Sequence, residues 1–245
     1  MSIKNSPGNI VKLDALFFGA HPDDVELFCG GTLIMLADSG YKTGIVDLTR
    51  GELSTRGNLK LREKETRKAT KLLGLTVREN LDINDDNIEN NEANRLKVIS
   101  VLRKFKPKLV FIPYHHDRHP DHINASRLVS DSCFYSGLVK IKTGNLSAHK
   151  PDKIFFYRNA YDMPVSFIFD ISKAFRKKRK ALQCYASQFY GSERKEPETY
   201  ISSKLFDNEI ESRARYFGFK IGVEFGEPFY CSDSIRINEK NIFDI

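Results

Sequence analysis

The chain has 245 residues, with 39 Lys and Arg against 32 Asp and Glu, a formal net charge of +7 and a mean hydropathy of −0.42. Hydrophobic residues make up 40% of it, which is enough for a substantial core and excludes a wholly disordered chain. The sequence contains neither the run of roughly 20 apolar residues that a membrane-spanning helix needs nor the apolar stretch of a signal peptide. Because the four cysteines are widely spaced and form no CxxC pair, we expect reduced thiols and a cytoplasmic protein.

Strand and helix patterns alternate along the first two thirds of the chain. The predicted strands there are 13–19, 43–49, 77–81 and 108–113, and the predicted helices are 30–39, 60–73, 92–105 and 120–134. The last third predicts strands at 153–159 and 166–171 and helices at 173–188 and 209–216. This order is typical of an α/β protein with a Rossmann-like, mainly parallel sheet and helices on both faces. Since no linker or repeat interrupts it, we expect residues 1–245 to form a single domain.

In such a sheet, right-handed crossovers place every strand-to-helix loop along one edge, where open α/β sheets bind ligands. The loops after Gly19, Thr49 and Pro113 are therefore expected to converge on one crevice. Two of them contain a His-Pro-Asp sequence, His21-Pro22-Asp23 after the first strand and His119-Pro120-Asp121 after the fourth. Two such loops at one sheet edge favour a catalytic or ligand-binding site over a pair of solvated turns.

The residue types in these two loops suit a metal. Side chains three apart on a first helical turn can face the same way, as His21 and Asp24 would, and also His119 and His122. Two imidazoles and a carboxylate suit zinc and leave a position open for water, as catalytic zinc sites require, although iron and cobalt accept the same ligands. Asp23 would lie beside the metal as a candidate general base.

Other basic and glycine-rich segments carry weaker signals. Arg50 and Arg62 lie near the same predicted edge and could bind carboxylates or phosphate. Gly30-Gly31-Thr32 is neither a P-loop nor a dinucleotide fingerprint, so no nucleotide cofactor is predicted. The basic run at 176–180 leaves a nucleic-acid-binding protein as a distant alternative, but a solvated surface explains it more simply, and nucleic acid is not predicted as a partner.

The two loops, Ala20-His21-Pro22-Asp23-Asp24-Val25-Glu26 and Arg118-His119-Pro120-Asp121-His122, resemble the LmbE/PIG-L family of zinc-dependent de-N-acetylases. That family acts on N-acetylglucosamine joined to another group. Further segments resemble its bacillithiol-pathway branch, which removes acetate from N-acetylglucosaminyl malate: Thr49-Arg50-Gly51-Glu52, Leu61-Arg62-Glu63, Phe169-Asp170-Ile171-Ser172, Tyr185-Ala186-Ser187-Gln188-Phe189 and Ile221-Gly222-Val223-Glu224. The resemblance extends over about 13–229, and Phe28 stands where much of the family has a small residue.

The resemblance implies roles for particular residues. The implied zinc ligands are His21, Asp24 and His122. Asp23 is implied as the general base that deprotonates the attacking water. His119, oriented by Asp121, would stabilise the oxyanion or protonate the departing amine, and either Asp23 or His119 could deliver the final proton.

The resemblance also implies how the substrate is held. Arg118 would bind substrate or oxyanion, and Arg62, with Arg50, is the candidate for the malate carboxylates. The expected partner is a small N-acetylglucosaminyl molecule, with no membrane involved. A homo-oligomer is also expected, because relatives in this family often form hexamers built as trimers of dimers. A deacetylase for another N-acetylglucosaminyl conjugate or for a short chito-oligosaccharide is the alternative within the same chemistry.

Overall fold

The computed structural model of the chain describes residues 11–191 and 196–234. Among these residues, seven strands form one sheet: β1 (Ala15–Gly19), β2 (Thr43–Asp47), β3 (Val77–Asn80), β4 (Leu109–Pro113), β5 (Lys153–Tyr157), β6 (Phe167–Asp170) and β7 (Gly226–Tyr230). The α-helices are α1 (Asp24–Asp38), α2 (Leu59–Leu73), α3 (Glu92–Phe105), α4 (Pro120–Tyr135), α5 (Phe175–Gln183) and α6 (Lys204–Lys220), and a short 3-10 helix spans Tyr200–Ser202. None of the helices in the described ranges is long and apolar enough to cross a membrane.

The sheet has the strand order β3-β2-β1-β4-β5-β7-β6. Strands β1 to β5 are parallel to one another, whereas β7 is antiparallel to both β5 and β6. The prediction of an α/β fold with a mainly parallel sheet is confirmed. The chain adds β2 and β3 on one side of β1 and then crosses to add β4 on the other side. The carboxyl ends of β1 and β4 therefore flank the switch point, which is where such sheets bind ligands.

Strand β1 is buried along its whole length because helices cover both faces of the sheet. Leu16 and Phe18 pack with residues of α3 and α4 in one core cluster. Ala15 and Phe17 pack with residues of α1 and α5 in another. A strand that is apolar at every position is what burial on both faces requires. The rigid centre of the sheet therefore ends at Gly19, directly before the first polar loop.

Two elements differ from the sequence-based expectations in an informative way. Strand β7 was not predicted, because Gly226 and Pro228 are poor strand formers, yet it lies between β5 and β6. Helix α5 was expected to continue to residue 188 but ends at Gln183. Beyond that end, the backbone N–H and the hydroxyl of Ser187 donate to the Glu65 carboxylate at 2.7 and 2.6 Å. These contacts hold the segment after α5 against α2 instead of in a helix.

Helix α1 begins at Asp24, earlier than expected, and bends at Cys29, where φ is −141° and ψ is 18°. Just beyond the bend, the Glu227 carboxylate accepts the backbone N–H groups of Gly31 at 2.9 Å and Thr32 at 2.7 Å. The Lys178 ammonium donates to the same carboxylate at 2.7 Å, and both charged groups are buried. This ion pair joins β7, α5 and the second half of α1.

Lys178 belongs to the basic run at 176–180, and two of its neighbours in that run are also in ion pairs. Lys177 contacts Asp38 at 2.8 Å, and Arg179 contacts Asp207. Three of the five cations therefore bind carboxylates of the chain itself. These contacts give the run a part in packing α5 against its neighbours.

We expect Gly31→Ala and Gly30→Ala to have opposite effects on stability. A Cβ at Gly31 would lie 2.8 Å from Ile171 and 2.9 Å from the Glu227 carboxylate, so overpacking should lower the free energy of unfolding by about 1–3 kcal/mol. At Gly30 the nearest such atom is 3.5 Å away, and the better helix propensity of alanine should add up to about 1 kcal/mol. Urea unfolding of both variants measures this, and an equal loss in both would contradict it.

Candidate metal centre and active site

The loops after β1 and β4 meet at the switch point of the sheet. His21, Asp24 and His122 each bring a possible ligand atom within 4.8 Å of the others. Asp24 and His122 are buried, and His21 is half-buried. The three residues implied as zinc ligands by the sequence resemblance thus lie together, although Asp24 at the start of α1 and His122 in the first turn of α4 are 98 residues apart in the chain.

His122 is oriented by contacts on both ring nitrogens. Its Nε2 lies 3.3 Å from Asp24 Oδ1, and its Nδ1 lies 3.1 Å from Asp117 Oδ1. The Asp117 carboxylate is itself fixed, since it accepts the backbone N–H groups of His119 at 2.7 Å and Ala160 at 2.8 Å. A carboxylate on Nδ1 favours the tautomer with its proton there, which leaves the Nε2 lone pair for a metal.

His21 has the complementary arrangement. Its backbone N–H donates to Asp24 Oδ2 at 2.8 Å, and its ring Nδ1 lies 3.6 Å from the same oxygen. Its Nε2 faces two carboxylates, Asp85 at 2.9 Å and Asp121 at 3.2 Å. The atoms that converge are therefore His21 Nδ1, His122 Nε2 and the Asp24 carboxylate. Two imidazole nitrogens and one carboxylate, each imidazole held by a carboxylate on its far side, fit a zinc ion.

The electrostatics of this cluster favour charge separation. Burial by itself lowers the pKa of His122. The Asp24 carboxylate and then Asp117 outweigh burial and raise this pKa to about 9. Burial opposes ionisation of Asp24 as well, but His122 and then His21 hold its pKa well below the usual value. The carboxylate is thus ionised and its protonated imidazole neighbours supply the positive charge. A divalent cation bound here would replace those imidazole protons.

Asp23 occupies a strained position between the sheet and α1. Its φ of +124° is rare for a residue with a side chain, and such strain is concentrated at functional sites. Burial raises the pKa of the Asp23 carboxyl to about 7, although the nearby Arg62 guanidinium opposes the shift. A carboxyl that titrates near neutrality is suited to exchange protons with a substrate.

Arg62 supports the strained loop directly. Its Nη2 lies 3.2 Å from Asp23 Oδ2, its Nε donates to the Pro22 carbonyl at 3.0 Å, and its Nη1 donates to Ser54 Oγ at 3.2 Å. The guanidinium is buried and bound to groups of the chain itself. Arg50, by contrast, is an exposed side chain paired with Asp82 at 2.8 Å. Contacts of Arg62 and Arg50 with substrate carboxylates stay predictions.

His119 caps the N-terminus of α4 and lies beside both other imidazoles. Its ring centroid is 4.9 Å from that of His21 and 4.9 Å from that of His122. Burial, followed by the positive charge of His122 and His21, lowers the pKa of His119, which favours a neutral ring. Its Nδ1 accepts the Asp121 backbone N–H at 3.2 Å, so the neutral ring carries its proton on Nε2.

The carboxylate expected to orient His119 has different partners in the structure. The buried Asp121 carboxylate accepts from His21 Nε2 and from the Asp86 backbone N–H, the latter at 3.0 Å. Only the backbone N–H of Asp121 contacts the His119 ring. The reason is that Asp121 lies in the first turn of α4 with its carboxylate directed towards His21, in the loop after β1.

Arg118, directly before His119, is exposed. Its guanidinium lies 4.1 Å from the ring centroid of Tyr200, on the 3-10 helix. Within the described part of the chain, no carboxylate contacts the Arg118 side chain. It therefore differs from Arg62 and Arg50, which both have one.

Two of these residues were missed by sequence reasoning. Asp117 stands between the fourth strand and the second His-Pro-Asp sequence, so its position was a usable signal. Asp85 lies in the loop after β3, which was not among the three loops expected to converge and which contains no motif. Each of them contacts the histidine ring nitrogen that faces away from the proposed metal position. A short sequence motif does not encode such contacts.

Glu26, the last residue of the first motif, anchors α1 in a buried network. Its carboxylate accepts from Arg78 Nη1 at 2.6 Å and from the Tyr185 hydroxyl at 2.8 Å. Arg78 also donates to both Asp47 oxygens, at 2.8 and 2.9 Å. Because Asp47 ends β2 and Arg78 lies on β3, the network fixes the start of α1 to the sheet.

Comparison with known proteins agrees with the fold. The profile of a family described as PIG-L, GlcNAc-PI de-N-acetylase, matches residues 16–133, which include both polar loops. The structure superposes on the conserved protein TT1542 from Thermus thermophilus with a TM-score of 0.84 and 35% identity, over 93% of this chain and 98% of that one.

Two curated proteins are also similar over most of the chain. Diacetylchitobiose deacetylase from Thermococcus kodakarensis is 28% identical over 91% of this chain and 84% of that protein. The 4-oxalmesaconate hydratase from Pseudomonas putida is 26% identical over 74% of this chain and 76% of that protein. The fold and the site thus define an α/β protein with a histidine–aspartate cluster at its switch point. The chain belongs to the PIG-L/LmbE family.

We expect Arg62→Met to lower the free energy of unfolding by about 3–5 kcal/mol, because it leaves the Asp23 carboxylate buried without its counter-charge. The exposed pair of Arg50 makes Arg50→Met a matched control, with an expected loss of about 0–1 kcal/mol. Urea unfolding of the metal-free proteins measures both. Similar losses for the two variants would contradict the assignment of Arg62 to the Asp23 loop.

The loss in Arg62→Met should also depend on pH. The pKa of Asp23 is about 7 in the folded protein and about 4 in the unfolded chain. The folded state therefore binds the carboxyl proton more tightly, and the free energy of unfolding falls as pH rises from about 4 to about 7. Removing the Arg62 charge raises the folded pKa further and extends that decline above pH 7. The stability difference between the parent and the variant should therefore be larger at pH 8 than at pH 6, and a difference that is independent of pH would contradict this.

Proposed function

We propose that the chain is a zinc-dependent amidohydrolase that removes the acetyl group from an N-acetylglucosamine conjugate, with N-acetylglucosaminyl malate as the substrate. The observation that carries this proposal is the convergence of His21 Nδ1, Asp24 and His122 Nε2 beside the buried Asp23. The similarity to diacetylchitobiose deacetylase supports hydrolysis of an acetamide on such a sugar. The residues that would hold zinc are His21, Asp24 and His122.

A zinc ion held there would act as a Lewis acid towards the acetamide carbonyl. The residues of the chain would carry the proton transfers. Asp23, with a pKa of about 7, would take a proton from the water that attacks the carbonyl carbon. His119, neutral and with its proton on Nε2, would donate a hydrogen bond to the oxygen that becomes negative.

Cleavage of the C–N bond then releases acetate and a free amine, and the amine needs a proton. The lowered pKa of His119 disfavours a protonated ring, whereas Asp23 holds the proton that it took from water. We therefore assign the final proton transfer to Asp23. This division of roles uses one carboxyl as base and then as acid, which a pKa near neutrality permits.

A preference of the enzyme for a substrate that carries malate requires a cationic side chain that is free to bind the malate carboxylates. Arg62 and Arg50 were expected to supply it, but both bind carboxylates of the chain. Arg118 is exposed, adjacent to His119, and stacked on Tyr200. We therefore propose Arg118 as a further ligand of the malate carboxylates, while the contacts expected of Arg62 and Arg50 stay predictions. The alternative is a neutral substrate such as a short chito-oligosaccharide, which the similarity to the chitobiose enzyme supports.

The proposal predicts release of free amine from N-acetylglucosaminyl malate by the zinc-loaded protein, in preference to N-acetylglucosamine and N,N'-diacetylchitobiose. Asp23→Asn should keep its zinc and lose activity by about 10²-fold or more, because it removes the general base. Turnover of diacetylchitobiose alone would favour the alternative substrate. Hydrolysis of none of the three by protein that contains zinc would contradict the deacetylase, and the hydratase relative would direct the next substrates to test.

We also expect purified protein to contain about one zinc per chain, measured by elemental analysis after dialysis. His122→Ala should lose it because one of three ligands is removed. His116→Ala is the matched control, since His116 is exposed in the loop just before α4 and lies beside Tyr161. Absence of zinc from the parent protein, or equal zinc content in the two variants, would contradict the proposed metal site.

A further inference from the structure

We infer that Asp85 is a positioning residue for the metal site, because its carboxylate holds the proton of His21 on Nε2 and so directs the Nδ1 lone pair towards the metal. Asp85 lies outside both polar motifs, in the loop after β3. The inference rests on the zinc site proposed above, and it concerns metal affinity, not the identity of the substrate.

The contact between Asp85 and His21 is short and enclosed. Asp85 Oδ1 lies 2.9 Å from His21 Nε2, closer than Asp121 Oδ2 at 3.2 Å. The side chain of Asp85 is 8% exposed and that of His21 is 12% exposed. Two carboxylates on one ring nitrogen select the tautomer, since neither can donate a hydrogen bond when it is ionised. In the neutral ring that a metal requires, the proton therefore belongs to Nε2, and Nδ1 is the free ligand atom that faces Asp24.

Asp85 is itself held by the loop after β2. Its Oδ2 accepts the Leu53 backbone N–H at 2.9 Å, and its own backbone N–H donates to Glu52 Oε1 at 2.9 Å. The next residue, Asp86, donates its backbone N–H to Asp121. Asp85 thus joins the loops after β2 and β3 to the histidine of the loop after β1. A carboxylate fixed at both oxygens can set the angle of the imidazole ring.

An amide in place of this carboxylate would fail on one of its two sides. Asp85 Oδ1 accepts from His21 Nε2–H and from the Asp86 backbone N–H at 3.2 Å, and Oδ2 accepts from Leu53 N–H. In Asp85→Asn, the NH₂ group takes the place of one of these oxygens and faces either His21 or Leu53. If it faces His21, the ring is driven to the other tautomer, whose proton on Nδ1 opposes the metal. If it faces Leu53, the loop that fixes the carboxylate is released.

The test is to add zinc to the metal-free protein in competition with a chromophoric chelator and to measure the zinc dissociation constant. Asp85→Asn should bind zinc about 10–100-fold more weakly, as loss of a carboxylate behind a metal-binding histidine typically does. Asp85→Ala removes the acceptor without adding a donor, so Asp121 can keep the proton on Nε2 and the loss should be smaller. Asp82→Asn is the matched control, because Asp82 lies in the same segment, is exposed and pairs with Arg50.

Two further readouts separate positioning from a general loss of structure. The cobalt-substituted Asp85→Asn protein should show a visible absorption spectrum that differs from that of the parent, while the unfolding midpoint of its metal-free form stays near the parent value. An unchanged zinc dissociation constant in Asp85→Asn, or an equal weakening in Asp82→Asn, would overturn the inference. So would a loss of metal-free stability in Asp85→Asn and Asp85→Ala that accounts for the weaker binding.

The experiment also distinguishes this inference from the proposed function. If the parent protein binds no zinc, the proposed metal site fails and the role of Asp85 fails with it. If the parent binds zinc and Asp85→Asn binds it equally well, only the role of Asp85 fails. If zinc affinity depends on Asp85 but no acetylated sugar is hydrolysed, the positioning role stands and the deacetylase proposal is the part that is wrong.

Discussion

The adjacency of β1 and β4 in the parallel sheet is the constraint on which the site depends. Their paired residues, such as Ala15 with Leu109, bring the carboxyl ends of the two strands side by side. Since both strands are buried on both faces, neither can shift without breaking the core. The loops that begin after Gly19 and Pro113 must therefore start within reach of each other, and the histidines and aspartates that follow meet as a consequence.

The charged groups around this junction are tolerated because each is bound to another. Asp24 lies against two imidazoles, Asp23 against Arg62, and Glu26 against Arg78. A buried charge without a partner would cost several kcal/mol, so these pairs allow acidic residues to be concentrated where the chemistry needs them. The strained backbone of Asp23 is held by the same contacts, since Arg62 also binds the carbonyl of the preceding Pro22.

The three arginines near the site show that tertiary contacts decide whether a predicted cation is available to a ligand. Sequence reasoning chose Arg62 and Arg50 as carboxylate ligands because of their charge and their place near the sheet edge. The structure gives Arg62 an internal partner and Arg50 a surface partner, and it leaves Arg118 exposed over Tyr200. Charge could be predicted from the sequence, but availability to a ligand depends on which carboxylates fold against each guanidinium.

The sequence by itself determined the α/β class, most of the helices and strands, and the three residues that converge as candidate metal ligands. It could do so because strand periodicity and the two His-Pro-Asp loops are local patterns, and parallel topology sends such loops to one edge. Strand β7, with its glycine and proline, and the partners Asp85 and Asp117 emerged only from the tertiary structure. Their positions depend on contacts between segments far apart in the chain, which no local pattern encodes.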